Sequence, residues 1–181
     1  MQNRNCFRNQ PCLSLLRLLP LLAMTLLLAS SCRVSYSFTG ASISPSVKTV
    51  TIPYFTNNAG LVVPTLSRTV TDALRDYFTG QTNLVQVDRG GDLLLEGSIA
   101  QYVVQPVAIQ GNETAAMNRL TITVNVKFTN KTDIKQNWES SFSRYQDYAS
   151  SYNLQSVQEG LIKDIADQLV QDIFNKAVVN W

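Results

Sequence analysis

Histidine is absent from all 181 residues, and the three cysteines, Cys6, Cys12 and Cys32, all fall in the first 32. From Arg33 onward there is neither an imidazole nor a thiol, which removes Ser-His-Asp and Cys-His nucleophilic catalysis, thiol redox chemistry and the usual zinc ligand sets. Carboxylate chemistry or a Ser-Lys pair would survive. The acids are scattered, however: Asp72 with Asp76, and Asp164 with Asp167, sit at helical spacing beside basic residues, as on solvated helix faces. Glycine-rich phosphate loops are lacking too, because "DRGGD" (Asp88 to Asp92) is followed by no lysine and no helix and reads as a turn between strands. No metal and no cofactor is expected.

What is present begins with a leader. Arg4, Arg8 and Arg17 occur without an acid, Leu18 to Leu28 is leucine apart from Pro20, Ala23, Met24 and Thr25, and the small residues Ala29, Ser30 and Ser31 follow. A positive start, a short apolar run and small residues are the parts of a secretory signal. The 14 residues between Arg17 and Cys32 fall short of the roughly twenty that a membrane-spanning helix needs, and Pro20 weakens that reading further.

The stretch "LLLASSCRV" (Leu26 to Val34) resembles the lipobox of bacterial lipoproteins. It departs from the usual pattern in one respect, since Ala29 stands three places before the cysteine and the leucine, Leu28, one place further back. An ordinary signal peptide, or a structural cysteine, is the alternative. The lipobox resemblance implies that Cys32 becomes the first residue of the mature protein and is acylated. One fatty chain anchors only marginally and two or more signals anchor stably; the several chains borne by such lipoproteins imply permanent attachment. No aspartate follows Cys32, so the default address is the periplasmic face of the outer membrane. The expected organisation is a signal over 1–31, a lipidated anchor and linker over 32–46, and one domain over 47–181.

Removing the leader takes Lys+Arg from 15 to 12 against 13 Asp+Glu, turning the formal net charge from +2 to about −1. That argues against a nucleic-acid partner, which needs a net basic stripe. About 150 residues suffice for a single domain that buries roughly two thirds of its unfolded surface.

Hydrophobic periodicity supplies the elements. In "VKTVTIPYF", Val50, Ile52 and Tyr54 alternate with polar residues, predicting a strand whose Pro53 lies near an edge or an end. Pro64 suits a first helical turn. Leu66, Val70, Ala73, Leu74, Tyr77 and Phe78 then recur at helical spacing up to Gly80. Strands follow in "NLVQVD", "DLLLEGSIAQYVVQPVAI", "RLTITVNVKFTN" and "NWESSFSRYQDY". The third is the cleanest, with Leu120, Ile122, Val124, Val126 and Phe128 on one face and Arg119, Thr121, Thr123, Asn125 and Lys127 on the other; one dry face and one polar face mark an antiparallel sheet covered on a single side. Val157, Leu161, Ile165, Leu169, Ile173 and Ala177 form the stripe of a long terminal helix. The expected fold is α+β, a two-layer sandwich with two helices packed on one face of a mainly antiparallel sheet.

Taken together, the lipobox, "VKTVTIPYFTNN", "PTLSRTVTDALRDYF", "GDLLLEGSI", "NRLTITVNVKF", "WESSFSRYQDY" and "LVQDIFNKAVVNW" resemble the lipopolysaccharide-assembly lipoproteins. The similarity covers nearly all of 32–181 and rests on order and pattern, not on a catalytic signature. It implies a function without chemistry. Such a lipoprotein partners a large outer-membrane β-barrel translocon, sits in its lumen as a plug, helps it assemble, and binds lipopolysaccharide on its way to the outer leaflet.

Lipid A phosphates call for Arg or Lys. Arg119 and Lys127 share the polar face of one strand, and Lys131 and Lys135 occupy the turn after it, so these four are the lipopolysaccharide-binding candidates; the alternative is that they merely keep a sheet face soluble. Period-two parity puts Trp138, Phe142, Arg144 and Tyr148 on one side of the last strand and Glu139, Tyr145 and Asp147 on the other. Core is expected for Trp138 and Phe142, and a partner interface for Tyr145. Two other readings compete. One is an accessory or pilot lipoprotein of another outer-membrane complex. The other is a carboxylate-dependent glycan hydrolase, which would need Glu96, Glu113 or Glu139 paired in a deep pocket.

Overall fold

A computed structural model describes residues 43–61, 63–107 and 116–179. The expected signal, the lipidation candidate Cys32, the anchor and linker up to residue 42, and Glu113 lie outside them.

The chain runs β1 (Thr49–Thr51), β2 (Thr56–Asn57), α1 (Pro64–Gln81), β3 (Val85–Gln86), β4 (Leu93–Val107), β5 (Met117–Asn130), a 3-10 turn (Ile134–Gln136), β6 (Trp138–Ala149) and α2 (Leu154–Phe174). A π-type turn, Asn175–Val179, extends the last helix. One six-stranded sheet results, in the order β3-β1-β4-β5-β6, with β2 also paired to β4. β4, β5 and β6 form an antiparallel meander, while β1, β2 and β3 add short parallel pairings. The expected α+β sandwich is the architecture found.

Local chemistry explains the helix ends. Pro64 opens α1, where its missing N–H costs nothing, and Thr82 closes it by donating its N–H and its hydroxyl to the Phe78 carbonyl. α2 starts at Asn153, whose side chain accepts the Gln155 N–H at 3.1 Å. Leu66, Val70, Leu74 and Phe78 of α1 and Leu161, Ile165, Leu169 and Ile173 of α2 are all buried. They meet the alternating residues of β5, of which Leu120, Ile122, Val124, Val126 and Phe128 are each at most 1 % exposed. The whole set forms one core cluster.

Three features depart from the sequence expectation, and the first two have a local physical cause. β1 stops at Thr51, since Pro53 cannot donate to a ladder. The alternation therefore breaks: Tyr54 turns outward at 57 % exposure and Phe55 goes in at 1 %. Phe55 is held twice, its N–H donating to Thr71 Oγ1 at 3.1 Å and its carbonyl accepting from Ser67 Oγ. Its ring fills the space that a Cβ on Gly97 would need. Second, a register shift between Ile99 and Gln101 reverses the parity of β4, so Leu93, Leu95 and Ile99 point inward before it and Tyr102 after it. Third, the short β2 pairs in parallel with β4.

"DRGGD" is the expected turn. Gly90 takes a left-handed φ of 81°, and Gly91 lies against Thr51, whose Oγ1 accepts the Gly91 N–H at 3.0 Å. Asp92 then ties β4 to β1 by accepting the N–H groups of Lys48 and Thr49, both at 2.9 Å, and the Thr49 hydroxyl at 2.8 Å.

Candidate sheet-face binding surface

Because the helices cover one side of the meander, its other side is open, and the strand registers fix what that side presents. Six rows run across β4, β5 and β6. The first is Glu96, Lys127 and Glu139; the second Ser98, Asn125 and Ser141. After the bulge come Gln101, Thr123 and Ser143, then Val103, Thr121 and Tyr145, then Gln105, Arg119 and Asp147, and finally the apolar row Val107, Met117 and Ala149. The second, third and fourth rows, between the two charged ones, contain no charge. Thr123 sits at their centre, with its hydroxyl 3.4 Å from Gln101 Oε1 and 3.1 Å from Ser143 Oγ.

The two charged rows differ: Arg119 and Asp147 form an ion pair, whereas Lys127 shares its row with two carboxylates. Arg119 donates from Nε and Nη2 to the two carboxylate oxygens of Asp147, at 2.7 and 2.8 Å, and its guanidinium lies 3.7 Å from the centre of the Tyr145 ring. The planar fork suits both contacts at once. The hydrogen bonds from Arg119 hold the Asp147 carboxyl below the usual carboxylate range, and reciprocally Asp147 raises Arg119. At the other end Lys127 stands between Glu96 and Glu139, in a shallow depression of about 220 Å³ that also includes Ser98 and Asn125.

The four basic candidates therefore do not form one cluster. Arg119 and Lys127 are eight residues apart on one strand, roughly 27 Å at the usual rise. Lys131 and Lys135 belong to the Lys127 end. Lys131 donates its Nζ to the Gly90 carbonyl at 3.0 Å. Lys135 is exposed on the 3-10 turn, its backbone N–H given to Asp133. That turn is organised by the buried Asn130, whose Oδ1 accepts the Thr132 and Asp133 N–H groups at 2.8 and 3.2 Å.

Tyr145 is 51 % exposed, whereas Tyr148 is buried and Trp138 and Phe142 pack against the core. Trp138 stacks on Phe128 at 5.5 Å and meets Phe142 edge-on at 5.8 Å. Sequence parity had placed these side chains correctly but gave no hint of the helix residues that seal them. Lys176 Nζ lies 5.1 Å from the Trp138 ring centre and bonds Ser140 Oγ. Arg144 clasps Asp172 of α2 with two bonds, at 2.5 and 2.6 Å.

The carboxylates singled out in the sequence fall into other surroundings. Glu96 and Glu139 are on an open face with Lys127 between them, not in a deep pocket. Asp72 is 3.4 Å from Arg68 and 3.7 Å from Arg75, in the polar groove between α1 and α2 that also holds Glu159 and Lys163. Asp76, Asp164 and Asp167 are exposed. Among the described residues no group of three His, Cys, Asp or Glu side chains could hold a metal ion, and no helix is long and apolar enough to cross a membrane.

The fold is thus a helix-backed sheet whose other face is mostly polar, with its charge confined to two rows. Residues 47–177 match the lipopolysaccharide-assembly (LptE) family, and the chain belongs to that family. No curated protein sequence matches it. Among solved structures, a neuraminyllactose-binding hemagglutinin homologue from Helicobacter pylori superposes with a TM-score of 0.50 at 9 % identity, covering 78 % of this chain and 89 % of that one. A minor lipoprotein from Acinetobacter baumannii gives 0.44 at 15 % identity, covering 68 % and 91 %. Rare lipoprotein B from Shewanella oneidensis gives 0.43 at 15 %, covering 71 % and 92 %. At 9 % identity the first of these similarities speaks to fold alone.

Proposed function

We propose that this protein is an outer-membrane lipoprotein, anchored on the periplasmic side by acyl chains on Cys32, that plugs and helps assemble the β-barrel translocon inserting lipopolysaccharide into the outer leaflet. The observation that carries this reading is the family match over 47–177, joined to a leader that ends in Cys32. The role is non-catalytic, which agrees with the lack of histidine throughout the sequence.

Direct lipopolysaccharide binding is part of the proposal. Lys127, Lys131 and Lys135 lie within nine residues at one end of the sheet and are its phosphate contacts. Arg119, already engaged by Asp147, has only Nη1 uncommitted and contributes at the far end. Tyr145, rigidly backed by Arg119 yet half exposed, is the candidate contact with the barrel wall.

The deciding experiment is gentle detergent extraction at native levels followed by mass spectrometry of what co-purifies. A stoichiometric large β-barrel together with lipopolysaccharide is the expected result. Recovery with a different complex, or alone and free of glycolipid, overturns the proposal and leaves an accessory lipoprotein of another assembly. In the same cells, Cys32→Ala is expected to release the protein from the membrane fraction.

A further inference from the structure

The middle of the open sheet face does not look like a phosphate site, and its chemistry is specific enough to name a ligand class. We propose that the three uncharged rows between the two charged ones, across β4, β5 and β6, form a platform for the neutral, polyhydroxylated sugars of the glycolipid. This deepens the function proposed above, on which it rests, by separating sugar recognition from phosphate recognition along one face.

Charge is the first observation. Protein surfaces usually keep about a quarter to a third of their residues charged, yet nine consecutive outward positions here carry none. The charged rows lie on either side of that area and not in it: Arg119 is engaged by Asp147 in a two-point contact, and Lys127 stands at the far edge in a row with Glu96 and Glu139. A phosphate would find no counter-charge on the belt and would lose its hydration for nothing. A neutral ligand has no such cost.

Hydrogen-bonding capacity is the second. Serine and threonine hydroxyls and the amides of Asn125 and Gln101 both donate and accept, as sugar hydroxyls do, whereas a phosphate mainly accepts. The internal bonds of Thr123 to Gln101 and Ser143 are long, 3.4 and 3.1 Å, and exchange readily for bonds to a ligand. The third observation is apolar. Val103 and Tyr145 flank Thr121 in the last of the three rows, and the guanidinium of Arg119 lies 3.7 Å from the centre of the Tyr145 ring. Sugar C–H groups can lie on the exposed ring, already held by that contact, at little entropic cost. The lysine end of the sheet then takes the phosphates and the belt takes the saccharide extending from them.

The test uses the full chain in detergent, titrated calorimetrically with a lipid-free oligosaccharide of neutral sugars from lipopolysaccharide, carrying neither phosphate nor carboxylate, and separately with lipid A. The variant is N125A/T123A/S143A, three outward side chains whose removal leaves the core untouched; an unchanged melting temperature checks this. The oligosaccharide is expected to bind the wild type and to bind the variant about tenfold or more weakly, three hydrogen-bonding partners being lost, while lipid A affinity is unaffected. A flat oligosaccharide titration with wild type, or equal binding by the variant, overturns the proposal. So does a photo-crosslinker at position 123 that captures barrel protein and no glycolipid in cells, which would make the belt a wall contact. Failure here is distinguishable from failure of the proposed function: barrel and glycolipid still co-purify in the first case and do not in the second.

Discussion

The two halves of the sheet are built on different principles. On one side β1, β2 and β3 are two or three residues long, run parallel to their neighbours, and are held in place by side chains that reach across from elsewhere. On the other, β4, β5 and β6 are 15, 14 and 12 residues long, pair through continuous antiparallel ladders, and present a plain alternation of buried and open positions. The short half is a joint, dependent on a few irreplaceable contacts under α1. The long half is a platform, redundant in its backbone bonding, so that its outward side chains are not needed to hold the strands together.

The largest expected effect tests the joint. Phe55 is 1 % exposed and seats its ring on Gly97 of β4, so Phe55→Ala should cost about 3–5 kcal/mol in denaturant unfolding, the usual range for a buried aromatic. Gly97→Val approaches the same seat from the other side and should destabilise by overpacking, about 1–3 kcal/mol. A loss under about 1 kcal/mol for Phe55→Ala would show that the short strands do not depend on this contact. Next is Thr71→Val, which keeps the shape but removes the hydroxyl that accepts the Phe55 N–H and donates to the Ser67 carbonyl at 2.7 Å. Since Thr71 is fully buried, leaving that N–H unpaired should cost about 1–3 kcal/mol.

The same division governs what could be read in the sequence. On the platform, local alternation is the structure: the inward set of β5 and the sidedness of Trp138, Phe142 and Tyr145 follow from counting by two. Both helices were legible from their stripes, with Pro64 marking the first turn of α1. On the joint, tertiary contacts override pattern. Tyr54 continues the alternation of Val50 and Ile52 but is turned out, because Pro53 ends the ladder and the bare backbone of Gly97 accepts Phe55 instead. The bulge before Gln101 leaves no local signature that separates it from an unbroken strand. On the candidate site, Arg119 was identifiable and its occupation by Asp147 was not, since that pairing depends on the β5–β6 register, which the intervening turn sets through Asn130. Parity had put Asp147 on the same side as Tyr145; the missing quantity was the offset between strands.

A milder perturbation asks what the matched charges of the platform are worth. Arg119 and Asp147 are 36 % and 31 % exposed, so solvent screening leaves their pairing only a small contribution to stability. Arg119→Gln should therefore barely move the unfolding midpoint. It should instead loosen Tyr145, which loses the cation held 3.7 Å from its ring centre, and the readout is sharpened motion of the ring in aromatic NMR relaxation. A large drop in stability from this substitution would mean that the platform relies on single contacts as the joint does.

The smallest expected effect distinguishes the two halves by acid and salt together. Asp92, on the joint, is held below its ordinary value of 3.8, first by the Lys48 N–H, then by the Thr49 hydroxyl and N–H; Asp147, on the platform, is lowered first by the Arg119 hydrogen bonds. A carboxyl whose folded-state pKa is depressed leaves the folded protein with fewer bound protons than the unfolded chain, so its stabilisation is complete above 3.8 and is lost as pH falls through the depressed value. Both should therefore steepen the loss of stability below that pH, and Asp92→Asn or Asp147→Asn should each flatten the curve. Salt separates them, because neutral N–H and hydroxyl donors are screened far less than a half-exposed guanidinium. Raising the ionic strength should erase most of the difference between wild type and Asp147→Asn while leaving that between wild type and Asp92→Asn largely intact. Equal salt sensitivity at the two sites would mean that Lys131, the weakest of the influences lowering Asp92, outweighs the backbone donors, and the joint would then be electrostatic where its geometry makes it a hydrogen-bonded clasp.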